Sequence, residues 1–456
     1  MGASCEIEAV ERRERRSRLA LVGACLGQVC DGAAIVSTGL VAPALSCDKN
    51  PDASECLSDA QLGLFNGVIF VGMFLGCLVS GAAADRFGRR RTSMAALMGL
   101  IAACIASSIS SGYIASLLWR ALLGFCVSLT GTPLYTFASE WSETAAAAKT
   151  RVAIVAAAFV VGAAYPAALA CAVVPKVMLP KWKWQFILVC PVPPAVLTVI
   201  VLALAYDSPV YLTLFRDEDT EGSINVTASD RSNTSTSSDR SDSRGSSMTD
   251  ASQPDDTPLL GPDGGAGDSV WQRIGQLVSM PAFYLHTVAW LVCTGVYFGV
   301  LNQMPLFFSD SDSARTPFVA SLIINAAQLP GAVSAFMLLR ARTFRANTLF
   351  IVCASLTGGA LILTPFAGVE IVTLAFGVAA CTCCFNVLCS LTASVVVFPE
   401  HLAAITFSGC MALGRLGGFV SLLAFGHLED NTVLIACGVC SLAMALMAAM
   451  CRKSFR

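Results

Sequence analysis

Gly81-Ala82-Ala83-Ala84-Asp85-Arg86-Phe87-Gly88-Arg89-Arg90-Arg91 lies between two long apolar runs and places four arginines and one aspartate in a short turn. Four cationic side chains between two membrane-length segments strongly oppose transfer across a bilayer. The turn therefore belongs on the cytoplasmic side and fixes the topology from one point. It also has mechanical content: Gly81 and Gly88 permit close backbone approach. Asp85 is placed to accept hydrogen bonds from a neighbouring helix end, or to pair with Arg89 or Arg90. A charged turn that only anchors topology is the alternative reading of the same residues.

The 456 residues are 55% hydrophobic and 13% charged, with a mean hydropathy of +0.68. Soluble domains carry about 25% charged residues, so the expectation is a polytopic membrane protein. A net charge of -2 argues against a nucleic-acid partner. The first 18 residues are polar and lead directly into a full-length apolar span, so no cleavable signal peptide is expected. Nearly all of the 20 cysteines sit inside apolar runs, where a thiol serves as a small core residue. Cys47 and Cys56 fall in the first polar loop instead. Whether they form an exofacial disulfide is left open by their spacing.

Outward from the arginine turn, the chain divides into five parts. Residues 1–18 are a solvated basic tail, and 19–206 carry six apolar segments of spanning length. Residues 207–280 are rich in Ser, Asp, Thr and Gly, the composition of a disordered linker. Residues 281–451 carry six further segments, and 452–456 form a short tail. With the N-terminus inside, the short inner segments hold seventeen Lys and Arg and the outer loops five (Lys49, Lys176, Lys181, Lys183 and Arg315). That asymmetry puts both termini and the linker in the cytoplasm. The sequons at Asn225 and Asn233 then never meet the glycosylation machinery. The expected fold class is an all-α membrane protein with 12 transmembrane helices in two six-helix halves.

The pattern G-x-x-x-D-R-x-G-R-R after the second span resembles the signature loop of the major facilitator superfamily. Further stretches narrow the resemblance: Gly23 to Leu45 with an acid in the first span, Arg120-Ala-Leu-Leu-Gly-Phe, Tyr135-Thr-Phe-Ala-Ser-Glu140, Asp207-Ser-Pro-Val-Tyr-Leu, Phe398-Pro-Glu-His and Gly414-Arg-Leu-Gly-Gly. Together they look like the synaptic-vesicle-protein-related and organic ion transporter branch. The resemblance implies two halves that rock around a central midplane site. It also implies that Glu140 and Arg151 join Asp85, Arg86, Arg89 and Arg90 in a cytoplasmic charge cluster that gates the inner side. Departures from the family pattern are Asp207 for Glu, Val210 for Arg, and no arginine just after Pro399-Glu400. The loop after the eighth span, Arg340-Ala-Arg-Thr-Phe-Arg345, also lacks the acid and the glycine of its counterpart.

A charge at the centre of an isolated transmembrane helix costs about 2.5–3.5 kcal/mol, so each one needs a reason. Asp31, near the middle of span one, reads as a proton-coupling group or a counter-charge for a cation, or else as a partner for a neighbouring helix. Arg415 in span eleven, beside Gly414, Gly417 and Gly418, reads as a binder of carboxylate or phosphate, a partner for Asp31 across the halves, or a structural ion pair. Arg120 at the outer end of span four fits a cavity or an interface role equally. Among the uncharged polar residues Asn302, Gln303, Asn325 and Asn386, Tyr297 and Gln328 lie deepest in their spans and are the preferred substrate contacts. Each has helix–helix hydrogen bonding as its alternative. His286 reads as structural.

Cys381, Cys383, Cys384 and Cys389 do not share one helix face, which argues against a metal site. The chain has no G-x-x-x-x-G-K loop for ATP and only three histidines (His286, His401 and His427), so neither a catalytic set nor a cofactor is expected. Two functional classes follow. The first is a transporter, not an enzyme, that moves a small organic ion by alternating access, with H+ as candidate coupling ion. It is expected to be monomeric in the lipid bilayer of the plasma membrane or an intracellular vesicle. The second is a non-transporting sensor or scaffold of transporter fold, motivated by the altered second loop and the phospho-acceptor-rich linker.

Overall fold

Inside a bilayer no water satisfies backbone N–H and C=O groups, so an apolar run of twenty residues must close its own hydrogen bonds as a helix. The computed structural model describes residues 2–47, 56–110, 112–142, 144–173, 183–207, 270–308, 316–341, 345–392, 398 and 400–451. Its helices are α1 (Gly2–Leu45), α2 (Asp59–Phe87), α3 (Arg89–Ile109), α4 (Tyr113–Glu140), α5 (Ala145–Val173), α6 (Lys183–Val189) and α7 (Val192–Leu204). There follow α8 (Val270–Val278), α9 (Pro281–Phe307), α10 (Thr316–Ala341), α11 (Ala346–Leu363), α12 (Glu370–Thr392), α13 (Glu400–Phe425) and α14 (Asp430–Met450). Among the described residues, twelve spans are long and apolar enough to cross a membrane, α6 and α7 together forming the sixth. Large apolar side chains such as Leu78, Ile109, Leu204, Val372 and Met450 face outward, as lipid contact requires. The protein is an integral, multi-pass membrane protein.

Three local features differ from the sequence expectation. The basic tail is solvated, but from residue 2 it continues α1 as helix, because Glu and Arg recur at i,i+4: Arg12–Glu8 at 3.4 Å and Arg18–Glu14 at 3.0 Å. The sixth span breaks after Val189, where Pro191 leads into α7 and has no N–H to donate to the preceding turn. Within 207–280, Val270–Val278 is helical: Val270, Ile274 and Leu277 recur at helical spacing, and Leu277 is buried. Residues 208–269, with Val210, and the tail 452–456 lie outside the described residues.

Between the halves, the main contacts pair α2 with α13, α5 with α10, and α1 with α9. As spans these are 2 with 11, 5 with 8 and 1 with 7. Adding six to each span number converts the first pair into the second and returns the third to itself, the signature of two repeats related by a two-fold axis. Glycine lets the backbones touch: a Cβ on Gly39 would lie 2.5 Å from the Asn302 carbonyl oxygen, and one on Gly63 2.9 Å from that of Leu422.

The seam starts at the end where Cys47 and Cys56 form a disulfide with Cα atoms 4.8 Å apart. It runs inward as far as Phe70, which packs against Gly418. Beyond that depth each helix turns to its own half. Gly72 and Gly76 of α2 abut Ala121 and Phe125 of α4, while Gly414 and Gly417 of α13 abut Trp290 and Leu291 of α9. One hydrophobic cluster therefore draws on both halves (Phe70, Met73, Val296, Phe298), and a second is confined to the C-terminal half (Trp290, Phe350, Val387, Phe398).

Candidate functional site

Asp31 sits on α1 at the depth where the seam ends, and is 5% exposed. Gln28, one turn earlier, donates from Nε2 to Asp31 Oδ2 at 3.2 Å, and Tyr135 of α4 donates its hydroxyl to Gln28 Oε1 at 3.0 Å. Tyr135 lies one turn beyond Gly131, and a Cβ on Gly131 would lie 2.5 Å from Asp31 Oδ2. Glycine there lets the carboxylate lie against α4. These contacts fix one carboxylate oxygen and leave Oδ1 buried without a hydrogen-bond partner.

From the other half, α13 presents Arg415, 9% exposed, with its guanidinium carbon 5.4 Å from the Phe298 ring centroid. Phe298 in turn lies 4.9 Å from Phe70, so an aromatic pair across the seam floors the site. Arg415 Nε is buried without a hydrogen-bond partner. Asp31 and Arg415 lie within reach of each other's charge, yet among the described residues they form no ion pair. Cys389 of α12 shares this neighbourhood.

Of the other expected substrate contacts, Tyr297 adjoins this neighbourhood, its ring 4.9 Å from that of Phe298 and within electrostatic reach of Tyr135, whereas Arg120 is placed elsewhere. Arg120 is fully buried inside the N-terminal half. It donates from Nε to the Phe65 carbonyl at 3.1 Å and from Nη2 to Thr38 Oγ1, with its guanidinium 4.6 Å from the Phe65 ring. It ties α4 to α1 and α2, the interface alternative of its two readings. Tyr297 donates its hydroxyl to Gln328, whose Nε2 bonds Asn325 at 2.8 Å. The cavity beside Tyr297, lined by Val296, Val300, Leu361 and Cys381, is apolar and about 10 Å³, barely the size of one water. Asn302, Asn325 and Asn386 each donate to a carbonyl four residues earlier on their own helix. His286 is buried, with Nδ1 2.9 Å from the Ala282 carbonyl oxygen.

At the far end of the bundle, Gly88 adopts φ 89°, a conformation only glycine takes readily, and lets α2 turn directly into α3. Gly81 serves no close approach: a Cβ there would meet nothing within 4 Å. Arg89 pairs with Glu140 at 2.6 Å, both side chains largely buried, and with the exposed Asp85 at 3.5 Å. Arg90 instead caps the end of α7, donating to the Leu202 and Ala203 carbonyls at 2.6 and 3.0 Å, and lies 3.8 Å from Asp207. Arg151 donates to Ser17 and to the Ala138 carbonyl, joining α5 to α1 and α4. Arg86 lies on the surface, 5.6 Å from the Phe87 ring. The structure thus brings Asp85, Arg89 and Glu140 together and sends Arg90 and Arg151 to separate joints of the same half.

Gln28, Gly131, Tyr135, Phe298 and Phe70 were not singled out from the sequence. Gln28 and Asp31, like Gly131 and Tyr135, stand at helical spacing, a signal that marks each pair only once α1 and α4 are known to touch.

The architecture and the site define an integral membrane protein of two six-helix halves with opposed buried charges where their seam ends. The Major Facilitator Superfamily profile matches residues 24–422, and the chain belongs to that superfamily. Synaptic vesicle glycoprotein 2A of Rattus norvegicus is 29% identical over 198 residues, 40% of this chain and 25% of that protein. Solute carrier family 22 member 1 of Bos taurus is 27% identical over 35% of this chain and 24% of its own length. A Bacillus subtilis protein, putative metabolite transport protein YncC, is 27% identical over 28% and 27%. The chain spans about a quarter of the length of the curated relatives it matches. A crystal structure of a D-xylose-proton symporter superposes with a TM-score of 0.70 at 16% identity, covering 94% of this chain and 96% of that one. The inward open xylose transporter XylE of E. coli does so with 0.70 at 16%, covering 93% and 94%.

Proposed function

We propose that this chain is a secondary carrier that moves a small organic ion across a membrane by alternating access, with the proton as its coupling ion. The observation that carries this reading is the pair Asp31 and Arg415: one charge from each half, both buried, each with an atom lacking a partner, meeting where the seam stops. Burying an ion costs several kcal/mol unless it is compensated, so two such groups held out of contact argue for a third group between them. In proteins of two related halves, that position is the midplane site around which the halves rock. The names of the relatives, a solute carrier and a metabolite transport protein, fit the same reading.

The conformation follows from the seam. With the arginine-rich turn in the cytoplasm, both termini and the linker are cytoplasmic. The Cys47–Cys56 disulfide then falls on the opposite, oxidising side. That side is sealed by α1 on α9 and α2 on α13, so the carrier faces inward. Asp85, Arg89 and Glu140 then act as the inner gate. The buried Arg89–Glu140 pair is the fixed part, and the exposed Asp85 is the arm that meets the other half when the inside closes. Arg90 and Arg151 hold the N-terminal half rigid as it rocks, while Tyr297 and Gln328 support Phe298 from behind. The protein works as a monomer, in the plasma membrane or an intracellular vesicle membrane.

The test is uptake into liposomes carrying the purified chain, using labelled organic cations, carboxylates, zwitterions and hexoses with and without an inward proton gradient. Gradient-stimulated uptake of one ion class, lost in folded Asp31→Asn and in folded Arg415→Gln, is the expected result. Hexose uptake indifferent to both variants refutes the ion-carrier reading. Ligand binding without flux replaces it with the sensor or scaffold.

A further inference from the structure

Resting on the carrier reading of this site, we infer that the substrate is a small zwitterion, a protonated amine and a carboxylate on one short skeleton, with the amine on Asp31 and the carboxylate on Arg415. Charge balance at the site favours such an occupant. Asp31 and Arg415 lie within reach of each other's charge, so an occupant that contacts one also feels the other. Coulomb energy falls only as the inverse of distance. A monovalent cation therefore loses beside Arg415 much of what it gains from Asp31, and a monovalent anion meets the mirror-image problem. A zwitterion gains at both ends and leaves the site neutral, the low-cost state for a buried pocket.

The unpartnered atoms of the two side chains favour it as well. Gln28 occupies Asp31 Oδ2 and leaves Oδ1, an acceptor that wants an N–H. A primary or secondary ammonium supplies one and a quaternary ammonium does not. Phe298 lies against the Arg415 guanidinium and leaves its buried Nε without a partner, on the edge that binds carboxylate in parallel N–H···O bonds. Between these ends, the Phe70–Phe298 pair and Tyr135 offer an apolar wall to a short hydrocarbon spacer.

The experiment measures binding and uptake by the full chain in liposomes with three matched series: ω-amino acids of two to six carbons, alkylamines and alkyl carboxylates of the same lengths. The expected result is that one amino acid is favoured at least tenfold over the amine and the acid of equal length. Folded Asp31→Asn should weaken that amino acid at least tenfold while leaving the carboxylate within threefold, and folded Arg415→Gln should do the converse for the amine. A wild-type preference for the amine or for the acid overturns the proposal, as does an absence of binding across the amino acid series. The wild-type ranking decides the matter even where a variant does not fold. If some series binds and neither folded variant changes it, the error lies in assigning the site to Asp31 and Arg415 at all.

Discussion

Gly131→Ala separates the substrate-aiming role of the α1–α4 contact from its packing role. The added Cβ would sit 2.5 Å from Asp31 Oδ2, where ordinary contact begins at 3.4 Å. The carboxylate must therefore retreat by about 0.9 Å, and Gln28 Nε2, 3.2 Å from the same Cβ, must give with it, so the Cβ intrudes on both ends of the 3.2 Å bond between them and disrupts it. Losing a hydrogen bond to a charged group costs about 1.5–3 kcal/mol, and alanine returns about 1 kcal/mol of helix propensity. The net loss of stability is about 0.5–2 kcal/mol, which a folded protein survives. Substrate affinity should fall further, because a displacement near 1 Å in an aimed charge costs tenfold or more, or at least about 1.4 kcal/mol. The assay pairs thermal melting of the purified protein with the KM of uptake in liposomes. Gly124→Ala is the control: its Cβ would lie 1.9 Å from the Ile69 carbonyl oxygen, a backbone atom that no rotamer change can move. That variant should fail to accumulate as folded protein. A Gly131→Ala protein with wild-type KM would refute the placement of Asp31 at the substrate site.

Arg120→Lys should lower stability by about 2–3 kcal/mol, since one ammonium cannot replace a fork that reaches Phe65 and Thr38 together, yet leave substrate preference unchanged. Thermal melting and a competition panel check the two halves of that statement. Gly39→Val should wedge α1 from α9 at Asn302 and bias the carrier toward the outward-open state. A cysteine placed at Asn66, buried in the wild-type structure, should then react severalfold faster with a membrane-impermeant maleimide added outside. Asn225 and Asn233 should show no glycosidase-sensitive mass shift in a eukaryotic host, and a shift at either one would invert the topology.

Much of the fold was legible because the bilayer enforces it. The length of each apolar run, the placement of Arg86 to Arg91, and the polar stretch between the sixth and seventh spans are one-dimensional signals that lipid converts into helices and orientation. The boundaries were less legible. The tail before Leu19 reads as polar and is helical, because a helix already nucleated by its span extends at low cost through Glu–Arg pairs. The charge cluster was half legible: Asp85, Arg89 and Glu140 meet. Arg90 and Arg151, carrying the same charge a few residues away, are directed by helix phase to the end of α7 and to Ser17.

The sequence by itself determined that this is a two-half membrane bundle and which residues within it are costly charges. Only the tertiary structure decided that Arg120 is committed to its own half and that Tyr297 and Gln328 bond each other. It alone showed that Asp31 and Arg415, from opposite halves, are buried within reach of each other's charge, with Gln28 bonded to the one and Phe298 against the other. The reason is physical: hydropathy and charge act on each residue separately, whereas partnership depends on which helix faces touch, and that is set by glycines at crossings far apart in the chain.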